Sequence, residues 1–151
     1  MPFEHGPFVT VAALCDQVLQ EKDGVISLIR IVDKVTSTDV DTATPDQMPP
    51  MLVSLTMVVQ LRSGAEGGGR HTLTLRPVDP TGAMVAQTEL PVEFAEAPSA
   101  AVTMLVKVGL MLKLTGLHWI DVLLDGELLT RSPLEVLYQP LTPGLPGPTP
   151  G

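Results

Sequence analysis

The stretch AVTMLVKVGLMLKLT, residues 101–115, decides the fold class because its apolar side chains recur at every second position. The regularly spaced set is Val102, Met104, Val106, Val108, Leu110, Leu112 and Leu114. Polar or small residues occupy most positions between them, with Leu105 and Met111 as the exceptions. A period of two is typical of a β-strand with one buried face, whereas an amphipathic helix repeats every 3.6 residues or so. We therefore predict a long strand, with Gly109 as a bulge where it bends.

The same alternation recurs on both sides of this stretch. Residues 51–63 form one such strand, and a glycine-rich hairpin loop over 63–69 leads into the next. The sequence DPTG at 79–82 predicts a β-turn, because aspartate can bond its own backbone, proline presets φ and glycine closes the turn. In the strand that follows, Pro91 indicates a sheet edge or a bulge.

The two ends of the chain add four more strands. At the front, the predicted strands are FVTVAALC and GVISLIRIVDKV, the second apolar on both sides as a central strand would be. Near the end they are residues 117–124 and a final strand from about 127 to 138, interrupted at Pro133. About eight strands with glycine and proline punctuation predict an all-β fold, an antiparallel β-sandwich of immunoglobulin-like or jelly-roll-like type.

The domain organisation follows from where the alternation stops. Residues 1–140 are predicted to form a single domain, and the proline- and glycine-rich residues 141–151 a disordered tail. Residues 36–50 form a polar connection long enough to cross from one sheet to the other.

Composition excludes several function classes. A net charge of -8 disfavours nucleic-acid binding, and an aromatic content of 3% removes the stacking surfaces that single-stranded nucleic acid uses. One cysteine cannot form an internal disulfide, which favours a reducing compartment. The N-terminus has no basic n-region of a signal peptide, and Lys107, Lys113 and Asp121 interrupt the most apolar segment, which disfavours a membrane span. We expect a cytoplasmic protein.

Catalytic and metal sites find little support in the residues. Cys15 could act as a nucleophile only beside His5, His71 or His118, and none of these is close to it in the sequence. We expect Cys15 to be a small buried residue in the core, at the end of the first strand. The histidines lack the close pairing of zinc sites. The sequence therefore predicts no catalytic residue, no cofactor and no metal, and we expect a protein that is not an enzyme.

An acidic loop leaves one alternative open. Asp39, Asp41 and Asp46 cluster in the 36–50 connection, but the mid-loop glycine and closing glutamate of an EF-hand are missing. A solvated acidic loop is the favoured interpretation. The alternative function is a small-ligand or carbohydrate-binding module that uses the 36–50 and 63–69 loops, with or without calcium.

The surplus of apolar residues near the C-terminus predicts an interface. Leu117, Trp119 and Leu123 alternate with the inward residues of their strand, and Tyr138 ends the last strand. Either the long loop or the tail covers these side chains, or they contact another chain, for which a homodimer is the simplest case. Our first hypothesis is therefore a non-enzymatic interaction or accessory module that acts through protein–protein contacts or self-assembly.

Several motifs carry a resemblance to a known family. They are Cys15-Asp16 at the end of the first strand and, near the C-terminus, Gly116, Ile120, Val122, Asp125-Gly126 and Pro133-Leu134-Glu135-Val136. In these motifs the chain resembles a family of small uncharacterised bacterial proteins, a domain of unknown function. The resemblance implies a β-sandwich over nearly the whole chain before the tail, and it implies no activity, ligand or catalytic residue.

Overall fold

The computed structural model describes residues 5–38, 48–64, 68–97 and 99–139. These residues form nine β-strands: β1 (Phe8–Gln20), β2 (Ile26–Ile31), β3 (Lys34–Ser37), β4 (Met51–Arg62), β5 (Gly69–Val78), β6 (Thr88–Phe94), β7 (Ala101–Leu112), β8 (Gly116–Leu124) and β9 (Glu127–Tyr138). Among the described residues there is no helix long and apolar enough to cross a membrane. The predicted tail at 141–151 lies outside the described residues.

The strands form two sheets. The four-stranded sheet has the order β2-β1-β4-β7, and the five-stranded sheet has the order β3-β9-β8-β5-β6. Every pair of neighbours is antiparallel except β3 and β9, which run parallel. Buried residues of both sheets pack into one apolar core between them. The predicted β-sandwich is confirmed.

The long alternating stretch that decided the fold class is β7, and it pairs with β4 over its full length. Their register runs without a shift from Met51 opposite Leu112 to Arg62 opposite Ala101. The bulge predicted at Gly109 is therefore wrong, because no extra residue interrupts this ladder. The register shifts instead between Val9 and Val11 of β1 and between Val122 and Leu123 of β8.

The predicted second strand is two strands in different sheets, which raises the count from about eight to nine. Val32 N–H donates to Leu14 O of the four-stranded sheet, and Glu135 N–H donates to Asp33 O from the five-stranded sheet. The chain thus changes sheets at Val32 and Asp33. β2 and β3 are both edge strands, so the prediction of one central strand was wrong. The segment was apolar on both sides because it contains two short edge strands that belong to different sheets.

Three other predictions concern strand neighbours. The 63–69 segment is not a hairpin loop, because it links β4 of one sheet to β5 of the other. β6, which carries Pro91, is an edge strand, as predicted. β9 continues through Pro133, so the predicted interruption there is wrong. Pro133 is opposite Trp119 of β8, and the pairing of β9 with β3 begins two residues later, at Glu135. Proline is tolerated there because no ladder needs its missing N–H.

Candidate functional site

An apolar groove opens along the side of the sandwich next to β7. Its volume is about 450 Å³, and buried Leu110, Leu112 and Ile120 form part of its wall. Three of its lining residues, Met84, Val85 and Leu114, carry exposed apolar side chains. Met111 also borders the hollow at the β7 edge, and its exposed side chain is on the outer face of the four-stranded sheet, opposite Leu52. Large apolar side chains gathered around one hollow are uncommon on a surface that only contacts water. We call this hollow the β7 groove.

The turn predicted at 79–82 builds one side of the β7 groove. Gly82 N–H donates to Asp79 O at 2.9 Å, and Asp79 Oδ1 accepts hydrogen bonds from Thr81 N–H, the Thr81 hydroxyl and Ala83 N–H. The Thr81 hydroxyl, followed by the backbone donors, holds the pKa of Asp79 below its ordinary value. Val85 N–H then donates to Pro77 O at 2.9 Å. These bonds fix the segment that places Met84 and Val85 at the rim.

A buried histidine also lines the β7 groove. His118 is 8% exposed, and its Nδ1 lies 3.4 Å from Gly116 O, which is long for a hydrogen bond. The lining is otherwise mostly apolar. The arrangement therefore suits a side chain or small molecule that is mainly apolar.

The backbone of β7 has one free side. Ser63 N–H donates to Ala100 O at 2.9 Å, so residue 100 directs its backbone groups toward β4. Because these directions alternate along an antiparallel strand, even-numbered residues of β7 bond to β4 and odd-numbered residues direct their N–H and C=O away from it. The free side belongs to Thr103, Leu105, Lys107, Gly109 and Met111. β7 is the last strand of its sheet, and no described strand pairs with that side.

The structure places three of the four predicted interface residues together. Leu117, Trp119 and Leu123 alternate with buried His118, Ile120 and Val122 and therefore share the outer face of the five-stranded sheet. Leu117 is exposed, Trp119 is half-buried and Leu123 is buried.

Tyr138 does not join this group. It alternates in phase with the buried Leu134 and Val136 and packs against the core between the sheets. Its buried hydroxyl has no hydrogen-bond partner in the described part of the chain. The three β8 residues and Tyr138 therefore do not form one surface.

An ion cluster that the sequence analysis missed covers part of that outer face. Asp121 is directly opposite Arg76 of β5 and Arg131 of β9. Its carboxylate accepts hydrogen bonds from Arg131 Nε at 2.6 Å and from an Arg76 terminal nitrogen at 3.1 Å. The Arg131 guanidinium lies 4.8 Å from the centre of the Trp119 ring. Arg131 thus shields part of the Trp119 ring that would otherwise face water.

A histidine–aspartate pair lies at the end of the five-stranded sheet where β8 turns into β9. His71 Nδ1 is 2.5 Å from Asp125 Oδ2, and Thr72 N–H donates to Asp125 Oδ1 at 2.9 Å. The hydrogen bond from His71, followed by that from Thr72, lowers the pKa of Asp125. His71 also contacts Phe94 edge-to-face, with 5.4 Å between ring centres. The pair joins β5 to the β8–β9 turn.

The Asp125 pair predicts a specific loss of stability in acid. Because its pKa is lower in the folded state, the pair's contribution is complete above the unfolded pKa and is lost as pH falls through the folded value. Asp125→Asn keeps a residue that tolerates the positive φ of 51° and removes the charge. We expect the difference in unfolding free energy between wild type and Asp125→Asn to shrink between about pH 5 and pH 2. Urea unfolding across this range measures it, and a constant difference would contradict the assignment.

Cys15 is buried, as predicted, with 0% of its surface exposed. It is not at the end of the first strand, because β1 continues to Gln20, and it does not lie between the sheets. It is opposite Thr56, whose neighbour Met57 faces the core, so Cys15 faces the outer side of the four-stranded sheet. The prediction of a core position was wrong because the bulge after Val9 shifts the alternation of β1.

The end of the β1–β2 hairpin borders a hollow on this outer face. Val25, Ile26 and Leu28 of the hairpin line one hollow of about 320 Å³ together with Val11 and Val58 of the sheet. Burial raises the pKa of the Cys15 thiol, and the Asp16 carboxylate raises it further. Among the described residues no histidine forms a hydrogen bond with Cys15.

Metal ligands do not gather in the described parts of the chain. Within those ranges no group of three or more histidine, cysteine, aspartate or glutamate side chains could hold a metal ion. Asp39, Asp41 and Asp46, the residues of the calcium alternative, lie outside the described residues.

A family model matches residues 10–137, from early β1 to the end of β9. It describes a family of unknown function, DUF6941. The chain belongs to this family. The match confirms the resemblance to a domain of unknown function, and the DUF6941 region includes both the β7 groove and the ion cluster around Asp121. A search of curated proteins gave no match to the chain.

Solved structures give distant similarities to this DUF6941 chain. The alkylpurine DNA glycosylase AlkC of Pseudomonas fluorescens, bound to DNA containing an abasic site analogue, is 14% identical with a TM-score of 0.44, over 88% of this chain and 29% of that one. A β-glucosidase of Listeria innocua in complex with glucose is 13% identical with a TM-score of 0.41, over 64% and 17%. This chain thus spans less than a third of either enzyme.

An immunoglobulin-like protein of Pseudomonas aeruginosa is comparable in length. It is 14% identical with a TM-score of 0.38, over 88% of this chain and 98% of that one. Similarities at this level transfer no activity, substrate or partner to the DUF6941 chain.

Proposed function

We propose that this protein is a non-enzymatic β-sandwich module that acts through protein–protein contacts, made at the β7 side of the sandwich. The observation that carries the proposal is the β7 groove, a hollow of about 450 Å³ that exposes apolar side chains beside a strand edge with which no described strand pairs. Such surfaces mark interaction sites on soluble proteins. The volume lies within the range of roughly 300–1,000 Å³ that specific binding pockets occupy.

The groove is a better contact surface than the outer face of the five-stranded sheet. There, Asp121 holds the Arg76 and Arg131 side chains, and the Arg131 guanidinium covers the Trp119 ring. Met84 at the groove and Met111 at the adjoining β7 edge are 65% and 51% exposed. Methionine side chains adapt their shape easily, which suits a contact with another chain.

Two observations support a non-enzymatic role. The Cys15 thiol is buried and its pKa is raised, which keeps it protonated and a poor nucleophile. His71 hydrogen-bonds to Asp125, and no described nucleophilic side chain bonds to its ring. The buried free thiol of Cys15 also agrees with a cytoplasmic location, which is part of the proposal.

Photo-crosslinking in the native host tests the proposed function. Benzoylphenylalanine is introduced singly at Met111 at the β7 edge beside the groove, at Leu117 on the outer face of the five-stranded sheet, and at the exposed Glu127 as a control. We expect a discrete adduct with a second polypeptide from Met111 and none from Glu127. Adducts from Leu117 alone would move the contact to the predicted β8 surface. Absence of adducts from both apolar positions, or equal yields at Glu127, would contradict an interaction role.

The ligand-binding alternative gains no support from the described residues. It draws on the 36–50 and 63–69 loops, of which residues 39–47 and 65–67 lie outside the described ranges. It stays a prediction from the sequence.

A further inference from the structure

We propose that the free edge of β7 binds an extended acidic segment of another polypeptide as an added strand, and that apolar side chains of this segment enter the β7 groove. The inference rests on the proposed function and specifies the kind of partner. This partner is an extended polypeptide in which acidic and apolar residues alternate.

The backbone of β7 is the first argument. Of the four edge strands, β2 has six residues, β3 four and β6 seven, whereas β7 has twelve. β6 also contains Pro91, which lacks a backbone donor. β7 contains no proline, and its unbroken register with β4 keeps it regular. Its odd-numbered residues therefore offer a row of donors and acceptors that an extended chain can satisfy.

The position of the β7 groove is the second argument. It is lined by residues 109–114, at the end of β7, and by residues 77–79, 83–85 and 118–120 of the other sheet and its loop. It thus lies on the inner side of the β7 edge. Successive side chains of an added strand would point alternately inward and outward, and the inward ones would face the groove. Strand addition with pockets for alternate side chains is a known mode of peptide recognition.

Charge is the third argument. Lys107 is the one charged residue of β7, Lys113 follows at its end, and both are exposed. Neither forms an ion pair with a described residue. Both are odd-numbered and alternate with the inward set, so they would lie beside the outward side chains of an added strand. Carboxylates at those positions would pair with the lysines.

The same charges disfavour a second copy of this chain. Antiparallel self-pairing centred on Lys107 places two copies of that lysine directly opposite, and pairing centred on Leu110 places Lys107 opposite Lys113. Like charges in these positions destabilise a strand pair. Two chains of net charge -8 also repel each other. A short acidic peptide is affected mainly by the charges within about 8 Å at physiological salt, which include the two lysines.

Fluorescence anisotropy with a defined peptide tests this inference on the full chain. The probe is a fluorescein-labelled peptide in which glutamate alternates with leucine between terminal glycines. The control peptide has lysine in place of glutamate. We expect saturable binding of the acidic peptide in the micromolar range and at least about tenfold weaker binding of the lysine peptide.

Gly109 provides a matched pair of variants. Its N–H faces the free side, and a Cβ added there would meet no atom within 4 Å. Gly109→Pro removes that donor without removing a side chain or a bond to β4, whereas Gly109→Ala keeps the donor. We expect Gly109→Pro to bind the acidic peptide at least about tenfold more weakly and Gly109→Ala to bind as wild type. If Gly109→Pro does not fold, the double variant Lys107→Glu with Lys113→Glu tests the charge argument and should show a similar loss.

Several outcomes would overturn the inference. These are no binding of the acidic peptide up to about 1 mM, equal binding of the lysine peptide, or undiminished binding by folded Gly109→Pro. A concentration-dependent dimer in light scattering that Gly109→Pro abolishes would assign the edge to a second copy instead. Crosslinks from Met111 without peptide binding would overturn this inference and leave the proposed function intact.

Discussion

Replacing Asp121 with alanine is expected to lower the free energy of unfolding by roughly 2–4 kcal/mol. The Asp121 side chain is 4% exposed and accepts hydrogen bonds from both Arg76 and Arg131. Loss of this carboxylate leaves Arg76 and Arg131, on the strands to either side of β8, with no negative charge between them. Breaking a buried ion pair typically costs about 3–5 kcal/mol, and the partial exposure of the arginines, 22% and 41%, reduces the expected value.

The measurement is urea unfolding followed by the fluorescence of Trp119, which lies beside Arg131. Asp16→Ala is the matched control, because it removes a carboxylate 3.6 Å from Arg30 where both side chains are well exposed. We expect it to change stability by less than about 0.5 kcal/mol. If Asp121→Ala is as mild as this control, the ion cluster does not hold the outer face of the five-stranded sheet together.

Local sequence pattern accounts for most of the strands. Alternation of apolar and polar residues depends on which side of a strand is buried, and it predicted β4 and β7 with the correct inward sets. It does not record which strands are neighbours. The contact of Asp33 with Glu135, and the parallel pairing of β3 with β9, join residues about a hundred positions apart and leave no period in the sequence.

The candidate site left weaker signals. Arg76, Asp121 and Arg131 meet only through the registers of three strands, so the sequence alone could not reveal their cluster. The β7 edge did leave a trace, because Leu105 and Met111 break the alternation by placing apolar side chains outward. Tyr138 could have been separated from the other interface candidates by its position in the strand. It is two residues after the buried Val136, so both side chains point to the same face of the sheet.

A free β7 edge has a large expected effect on amide hydrogen exchange. Even-numbered residues of β7 donate to β4 and should exchange slowly, whereas odd-numbered residues direct their N–H groups away from every described strand. We expect the amides of Leu105, Lys107 and Gly109 to exchange at least about 100-fold faster than those of Val106 and Val108.

This alternation is the most direct test of the account, because the proposed function and the strand-addition inference both need an unpaired β7 edge. The measurement is exchange into deuterated water, read by two-dimensional NMR on the dilute chain. The account predicts fast exchange of the odd-numbered amides, which slows when the glutamate–leucine peptide is added. If these amides are already as slow as the even-numbered ones in a dilute monomer, the edge is closed by the chain itself and the account is contradicted.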